Sequence, residues 1–165
     1  MRKSFTLIEI LLVVTIVTLF TGYSIVNYNI FSQVKLLEKE ANFLVDVLAL
    51  TKGKAKAADI SFICSGLEEF GGYQVEINSS SYNFKQCCRD INTKAITTCG
   101  AEIQAYDFST SISKVSGASR VDFYPLTGNT TDSTIRIKNE NSAKCLEISI
   151  TAIGVITVGD APFSC

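Results

Sequence analysis

Apolar side chains follow three successive regimes along this chain. From Phe5 to roughly Val26 they are nearly continuous, and the run Ile10–Phe20 is interrupted only by Thr15 and Thr18. A bilayer-spanning helix needs about 20 mostly apolar residues at about 1.5 Å rise each, and this stretch meets that length. Beyond it the pattern thins to one side. Leu37, Ala41, Leu44, Leu48, Thr51, Ala55 and Ala58 recur at alternating steps of four and three, with Phe43, Val47 and Leu50 widening the stripe. That spacing places them on one face of an amphipathic helix. No proline precedes Pro125, and Gly22 is the only glycine before Gly53. The pattern therefore predicts one helix from about Phe5 to Ala58, greasy all round in its first half and one-sided in its second. Gly22 and Asn27–Asn29 are its weak points.

After Asp59 the period becomes two. Tyr73, Val75 and Ile77 alternate with Gln74 and Glu76, a Ser79–Ser81 turn follows, and Tyr82 and Phe84 resume the alternation. Further strands are predicted at Ile60–Cys64, Glu102–Phe108, Arg120–Tyr124, Thr134–Lys138, Cys145–Thr151 and Val155–Val158. Turns fall at Pro125–Gly128, Asn139–Ser142 and Gly154. A sheet with one apolar face and a helix with one apolar stripe bury both by packing together. The expected fold is α+β, with an antiparallel sheet wrapped on the C-terminal half of a long helix.

Composition narrows the chemistry. The chain has 165 residues, a net charge of −1 and no histidine or tryptophan, which removes the commonest general base and metal-binding nitrogen. No phosphate-binding loop, dinucleotide fingerprint or nucleophile elbow occurs. The carboxylates are scattered rather than spaced as a calcium loop. No enzymatic activity, cofactor or metal is expected. All of the six cysteines (Cys64, Cys87, Cys88, Cys99, Cys145 and Cys165) lie beyond the apolar segment, with no C-x-x-C among them. An even number without chelate spacing points to disulfides in an oxidising space. Six cysteines allow 15 pairings. Cys87 or Cys88 with Cys99 would close a local loop, and Cys145 with Cys165 would pin the C-terminus.

Glu9 stands out, because it is the only ionisable carboxylate or ammonium side chain between Lys3 and Lys35. A lone carboxylate among aliphatic side chains costs several kcal/mol unless it is paired. Nothing basic lies within helical reach, so its partner must come from another molecule, unless it merely sits at headgroup level near the positive end of the helix dipole. Arg2 and Lys3 in front imply a cytoplasmic N-terminus and an exported remainder. A secretory signal peptide would carry a small-x-small cleavage site, for which Thr21–Ser24 is an indifferent candidate. A plain anchor gives no reason for the acid.

Residues Lys3–Val14, reading Lys-Ser-Phe-Thr-Leu-Ile-Glu-Ile-Leu-Leu-Val-Val, resemble the class III signal of type IV pilins and pseudopilins. The resemblance implies a leader of residues 1–4, cleavage between Ser4 and Phe5 by a prepilin peptidase, and N-methylation of Phe5. Glu9 would then pair with the freed amine of a neighbouring subunit. Ser4 departs from the glycine usual before the cut. The implied organisation is a transmembrane half (5–26), an amphipathic half (27–58) and a disulfide-containing head (59–165).

A looser resemblance, to minor pseudopilins of the GspH/FimT type, rests on Val121–Gly128, Ile135–Ile137, Ile148–Ile150 and Gly154–Val158, with Leu48–Ala58, Ile60–Cys64 and Gly72–Val75 upstream. Nothing in it covers Cys87–Thr110. It implies a filament subunit of a type IV pilus or type II secretion system. Such a subunit waits in the inner membrane with its head outside, and its partners are other pilins, the peptidase and an inner-membrane assembly platform. Lys52, Lys54 and Lys56 cluster near the helix end. They either complement the helix dipole on a solvated face or contact an anion or DNA, as in a competence pilus. Lys114, Arg120, Arg136, Lys138 and Lys144 would extend that basic strip.

Overall fold

The computed structural model describes residues 6–165, apart from the side chains of residues 23–27. Helix α1 runs unbroken from Leu7 to Ala57, through Gly22 and Asn27–Asn29. Ala58 ends it in a left-handed conformation (φ 49°), with its amide and that of Asp59 turned back onto the carbonyls of Ala55 and Lys54. The stripe Leu37, Ala41, Leu44, Leu48, Thr51 and Ala55 is fully buried. Thr51 satisfies its hydroxyl by donating to the Val47 carbonyl at 2.7 Å. Of the three residues expected to widen the stripe, Val47 is buried, whereas Phe43 and Leu50 are exposed. The buried face is narrower than the apolar one.

The strands are β1 (Glu68–Ile77), β2 (Ser81–Asp90), β3 (Ile96–Asp107), β4 (Ile112–Gly117), β5 (Arg120–Phe123), β6 (Ser133–Asn139), β7 (Lys144–Ile150), β8 (Ile156–Val158) and β9 (Phe163–Ser164). They form two antiparallel sheets rather than the single expected one: β3-β2-β1-β5, and β4-β6-β7-β8 with β9 also on β7. The chain changes sheet after β3, again after β5, and in between from β4 to β5. Lys114 closes that seam, its ammonium donating to the Ile77 and Ala118 carbonyls at 2.9 and 3.1 Å and to the Ser119 hydroxyl at 3.1 Å. Partial burial pushes its pKa below the ordinary lysine value.

Both sheets turn their apolar faces to the helix. Tyr73, Val75, Ile77, Tyr82, Phe84, Val121 and Phe123 come from the first, and Ile135, Ile137, Leu146, Ile148 and Ile150 from the second. The expected strand at Ile60–Cys64 is a loop instead. Three of its backbone groups are taken by one side chain, Gln86, which is fully buried. Gln86 Oε1 accepts from the Ser61 and Phe62 amides and the Ser61 hydroxyl, and Nε2 donates to the Phe62 carbonyl at 2.7 Å. The Phe62 ring lies so close to Gly100 that a Cβ there would sit 2.5 Å from it. Cys87–Thr110, which the GspH/FimT resemblance left uncovered, forms the end of β2 and all of β3, a long hairpin at the edge of the first sheet that includes most of the strand expected at Glu102–Phe108.

Candidate assembly helix and its anchored head

Helix α1 divides at Gln33. There Asn139, fully buried at the end of β6, donates from Nδ2 to both the backbone carbonyl and the side-chain carbonyl of Gln33 at 3.0 Å. Its Oδ1 accepts from the Asn141 and Ser142 amides, so the clamp is braced by its own turn. C-terminal to it the helix is a core element; N-terminal to it the helix leaves the head. Leu7, Leu11, Leu12, Val14, Leu19 and Phe31 are all exposed.

Within the outward half, Thr15, Thr18 and Thr21 turn their hydroxyls back to the carbonyls of Leu11, Thr15 and Val17 at 2.6, 2.9 and 2.7 Å, so their polarity is spent on their own helix. Glu9 remains. It sits in the first turn, beside a shallow surface depression lined by Ile10, Val13 and Val14. Among the described residues no cation lies within ion-pair distance of it. The next basic residue along the chain, Lys35, is about 39 Å up the helix axis. Ser4 and Phe5, the expected cleavage site, lie outside the described residues. So do the leader and part of the expected 5–26 span. Among the described residues no helix is long and apolar enough to cross a membrane.

The basic residues are mostly engaged. Lys52 donates to the Gly154 carbonyl at 2.8 Å. Gly154 (φ 75°) has no room for a Cβ, which would lie 2.5 Å from the Gly128 carbonyl oxygen and 3.0 Å from the Lys52 chain. Lys52 thus fixes two turns of the head to the helix end. Lys54 pairs with Asp59, and that hydrogen bond holds its pKa above the ordinary value. Lys56 is exposed. In the strands Arg120 pairs with Asp122, Arg136 with Glu147 and Lys138 with Glu140, while Lys144 donates to the Ser164 hydroxyl. Of the expected basic strip, Lys54, Arg120, Arg136 and Lys138 pair with acids, whereas Lys52, Lys114 and Lys144 meet only carbonyl or hydroxyl oxygens and Lys56 faces solvent.

The six cysteines form three bridges: Cys64–Cys88, Cys87–Cys99 and Cys145–Cys165. The first fastens the α1–β1 loop, the second staples β2 to β3, and the third holds β9 and the C-terminus on β7.

A buried polar group missed in the sequence joins the helix to the β3–β4 corner. Glu40 on α1 is almost wholly buried and accepts from the Ser109 hydroxyl. Close to it the Tyr82 ring stacks on Tyr106, with centroids 5.4 Å apart. Burial and, second, the Glu40 charge raise the pKa of the Tyr82 phenol. Glu40 falls one residue before Ala41 of the buried stripe, and a charged residue gives no sign in the sequence of lying at its edge.

A long N-terminal helix whose C-terminal half lies against antiparallel sheets defines a pilin-like α+β fold. Among solved structures, the minor pseudopilin EpsH from the Type 2 Secretion System of Vibrio cholerae shares it, with a TM-score of 0.50 over 74% of this chain and 95% of that one at 12% identity. At that identity the likeness is one of fold. No protein-family profile and no curated protein sequence matches the chain.

Proposed function

We propose that this chain is a minor pilin or pseudopilin, a structural subunit of a type IV pilus or type II secretion filament. The observation that carries the reading is Glu9, an acid without a counter-charge on an exposed apolar helix below a pilin-like head. In this reading the apolar half of α1 first holds the subunit in the inner membrane with its head outside. A peptidase then cuts between Ser4 and Phe5, and the new amine, N-methylated but still basic, becomes the cation that Glu9 of the adjacent subunit takes up. Apolar helices stacked side by side exclude water from the pair and strengthen it. The clamp at Asn139 keeps the head at a fixed position on the rod formed by the helix.

Mass spectrometry of the native protein tests the processing: a chain beginning at N-methylated Phe5 is expected. One still beginning at Met1, or lacking the apolar segment, would refute the reading. Assembly is tested separately. Replacing Glu9 leaves the partner amine buried without an acid, which costs about 3–5 kcal/mol. Glu9→Ala is therefore expected to lower incorporation into filaments by at least about tenfold while leaving membrane insertion intact. Wild-type incorporation of Glu9→Ala would sink the pairing.

A further inference from the structure

The bridges Cys64–Cys88 and Cys87–Cys99 interleave, because Cys87 lies inside the loop closed by the first and its partner Cys99 lies beyond it. Cys87 and Cys88 are consecutive on β2, so their side chains leave opposite faces of the strand. Cys87 stands directly opposite Cys99 in the β2–β3 register, and Cys88 meets Cys64 in the α1–β1 loop. The folded strand thus admits one assignment only. Exchanging the partners would need a one-residue slip that turns every β2 side chain to the wrong face.

Before folding, nothing makes that distinction. The native loops span 24 and 12 residues, and the exchanged set, Cys64–Cys87 with Cys88–Cys99, closes loops one residue shorter in each case. Loop-closure entropy then favours the exchanged set by only ~1.2-fold. Oxidation in order of emergence from the membrane also joins Cys64 to Cys87, the first thiol to follow it. Once Cys145–Cys165 has closed as well, all six cysteines are used and the exchanged chain holds no thiol with which to correct itself.

We propose that maturation of this protein requires a thiol–disulfide isomerase acting on the exported chain, an external thiolate that converts the exchanged set into the native one. The sequence of exchanges is redox-neutral. The isomerase thiolate attacks Cys64 Sγ and releases Cys87 as a thiolate. Cys87 attacks Cys99 Sγ and releases Cys88. Cys88 then attacks Cys64 Sγ in the mixed disulfide and returns the isomerase thiolate. Both native pairs form, and no electron is gained or lost. The oxidant that first closes the bridges is a separate partner, a disulfide-bearing dithiol oxidase. Export to an oxidising space belongs to the function proposed above, but the bridge chemistry can be tested without it.

The full chain, reduced and unfolded, is returned to detergent micelles and oxidised with diamide alone, or with diamide followed by reduced and oxidised glutathione. Trypsin releases Gln86–Arg89 carrying both bridges, and fragmentation between Cys87 and Cys88 shows which partner each holds. Diamide alone is expected to give the exchanged set in about half of the chains or more, and glutathione to convert it to the native set. A Cys87→Ser/Cys99→Ser variant removes the interleaving, so its Cys64–Cys88 bridge should form equally in both arms, whether or not the head is fully stable. Equal native yield of the wild-type chain in the two arms, or a glutathione dependence that persists in the variant, would overturn the proposal. Neither result bears on whether the chain enters filaments.

Discussion

At Gln86 one carboxamide does what a strand ladder would otherwise do. It receives three hydrogen bonds from residues 61 and 62 and gives one back, from a position with no exposure. Ile60–Cys64 alternates like a strand, yet with its Ser61 and Phe62 amides taken by Gln86 it need not join a sheet. A glutamine alternating with apolar neighbours reads as solvent-facing, so this partner was invisible in the sequence. Gln86→Leu keeps the volume but strips the Ser61 and Phe62 amides and the Phe62 carbonyl of their partner, and is expected to cost roughly 1–3 kcal/mol, seen as a lower denaturant midpoint at unchanged slope. Three carboxylates set the response to acid, one of them Glu140, which hydrogen bonds from Lys138 and Ser113 hold below its ordinary pKa. Hydrogen bonds from the Thr93 and Asn92 amides hold Asp90 below its ordinary pKa, and Lys94 and then Arg89 do the same for Glu69. Groups whose pKa falls on folding stabilise the fold above their ordinary range and lose that contribution as pH drops through the folded value. The thermal midpoint is thus expected to fall on acidification below about pH 4, with a shallower slope in Asp90→Asn, whose neutral side chain has no proton to take up. An identical slope would assign the acid sensitivity elsewhere.

Among the elements, the helix was the most legible. Its stripe from Leu37 to Ala55 reports a packed face directly, because every step of three or four returns to the same side of a rod. Leu44 sits at the centre of that stripe with no exposure. Leu44→Ala is expected to cost about 3–5 kcal/mol by leaving a cavity between helix and sheets. The exposed Leu50→Ala should change the unfolding midpoint little by comparison. Strands β1, β5, β6 and β7 were also readable, each having one face in the core. Strand β4 was not, since a bulge between Lys114 and Ser116 breaks its period. The β2–β3 hairpin was legible only in part, at Tyr82–Phe84 and Glu102–Phe108, its register shifting at three places. A bulge resets which face a residue occupies, and a period-two pattern cannot survive it.

For the whole molecule, the sequence carried the class of fold but not its division into two sheets. Strand periodicity records which side of a strand is apolar; it holds nothing about which neighbour the strand pairs with. The switch at Gly117–Ser119 is set by Lys114 reaching across to Ile77, a long-range contact without local signature. The candidate site divides in the same way. Glu9 was conspicuous because charge in an apolar run has few neutral explanations, whereas the Asn139–Gln33 clamp depends on two residues brought together from 106 positions apart.

That clamp turns the outward helix into an angular gauge. Each helical residue advances the chain by about 100° and about 1.5 Å, so the azimuth of the head relative to Glu9 is fixed by the number of residues between Glu9 and Gln33. One alanine inserted after Ile30 would swing the head by about 100° while raising it barely at all. The stability of the head should be untouched, as its core begins at Leu37. In the filament proposed above, co-purification should nevertheless be lost, because neighbouring heads would meet with the wrong sides facing. Seven inserted residues bring the direction back to within about 20°, and so distinguish a fault of bearing from a fault of length.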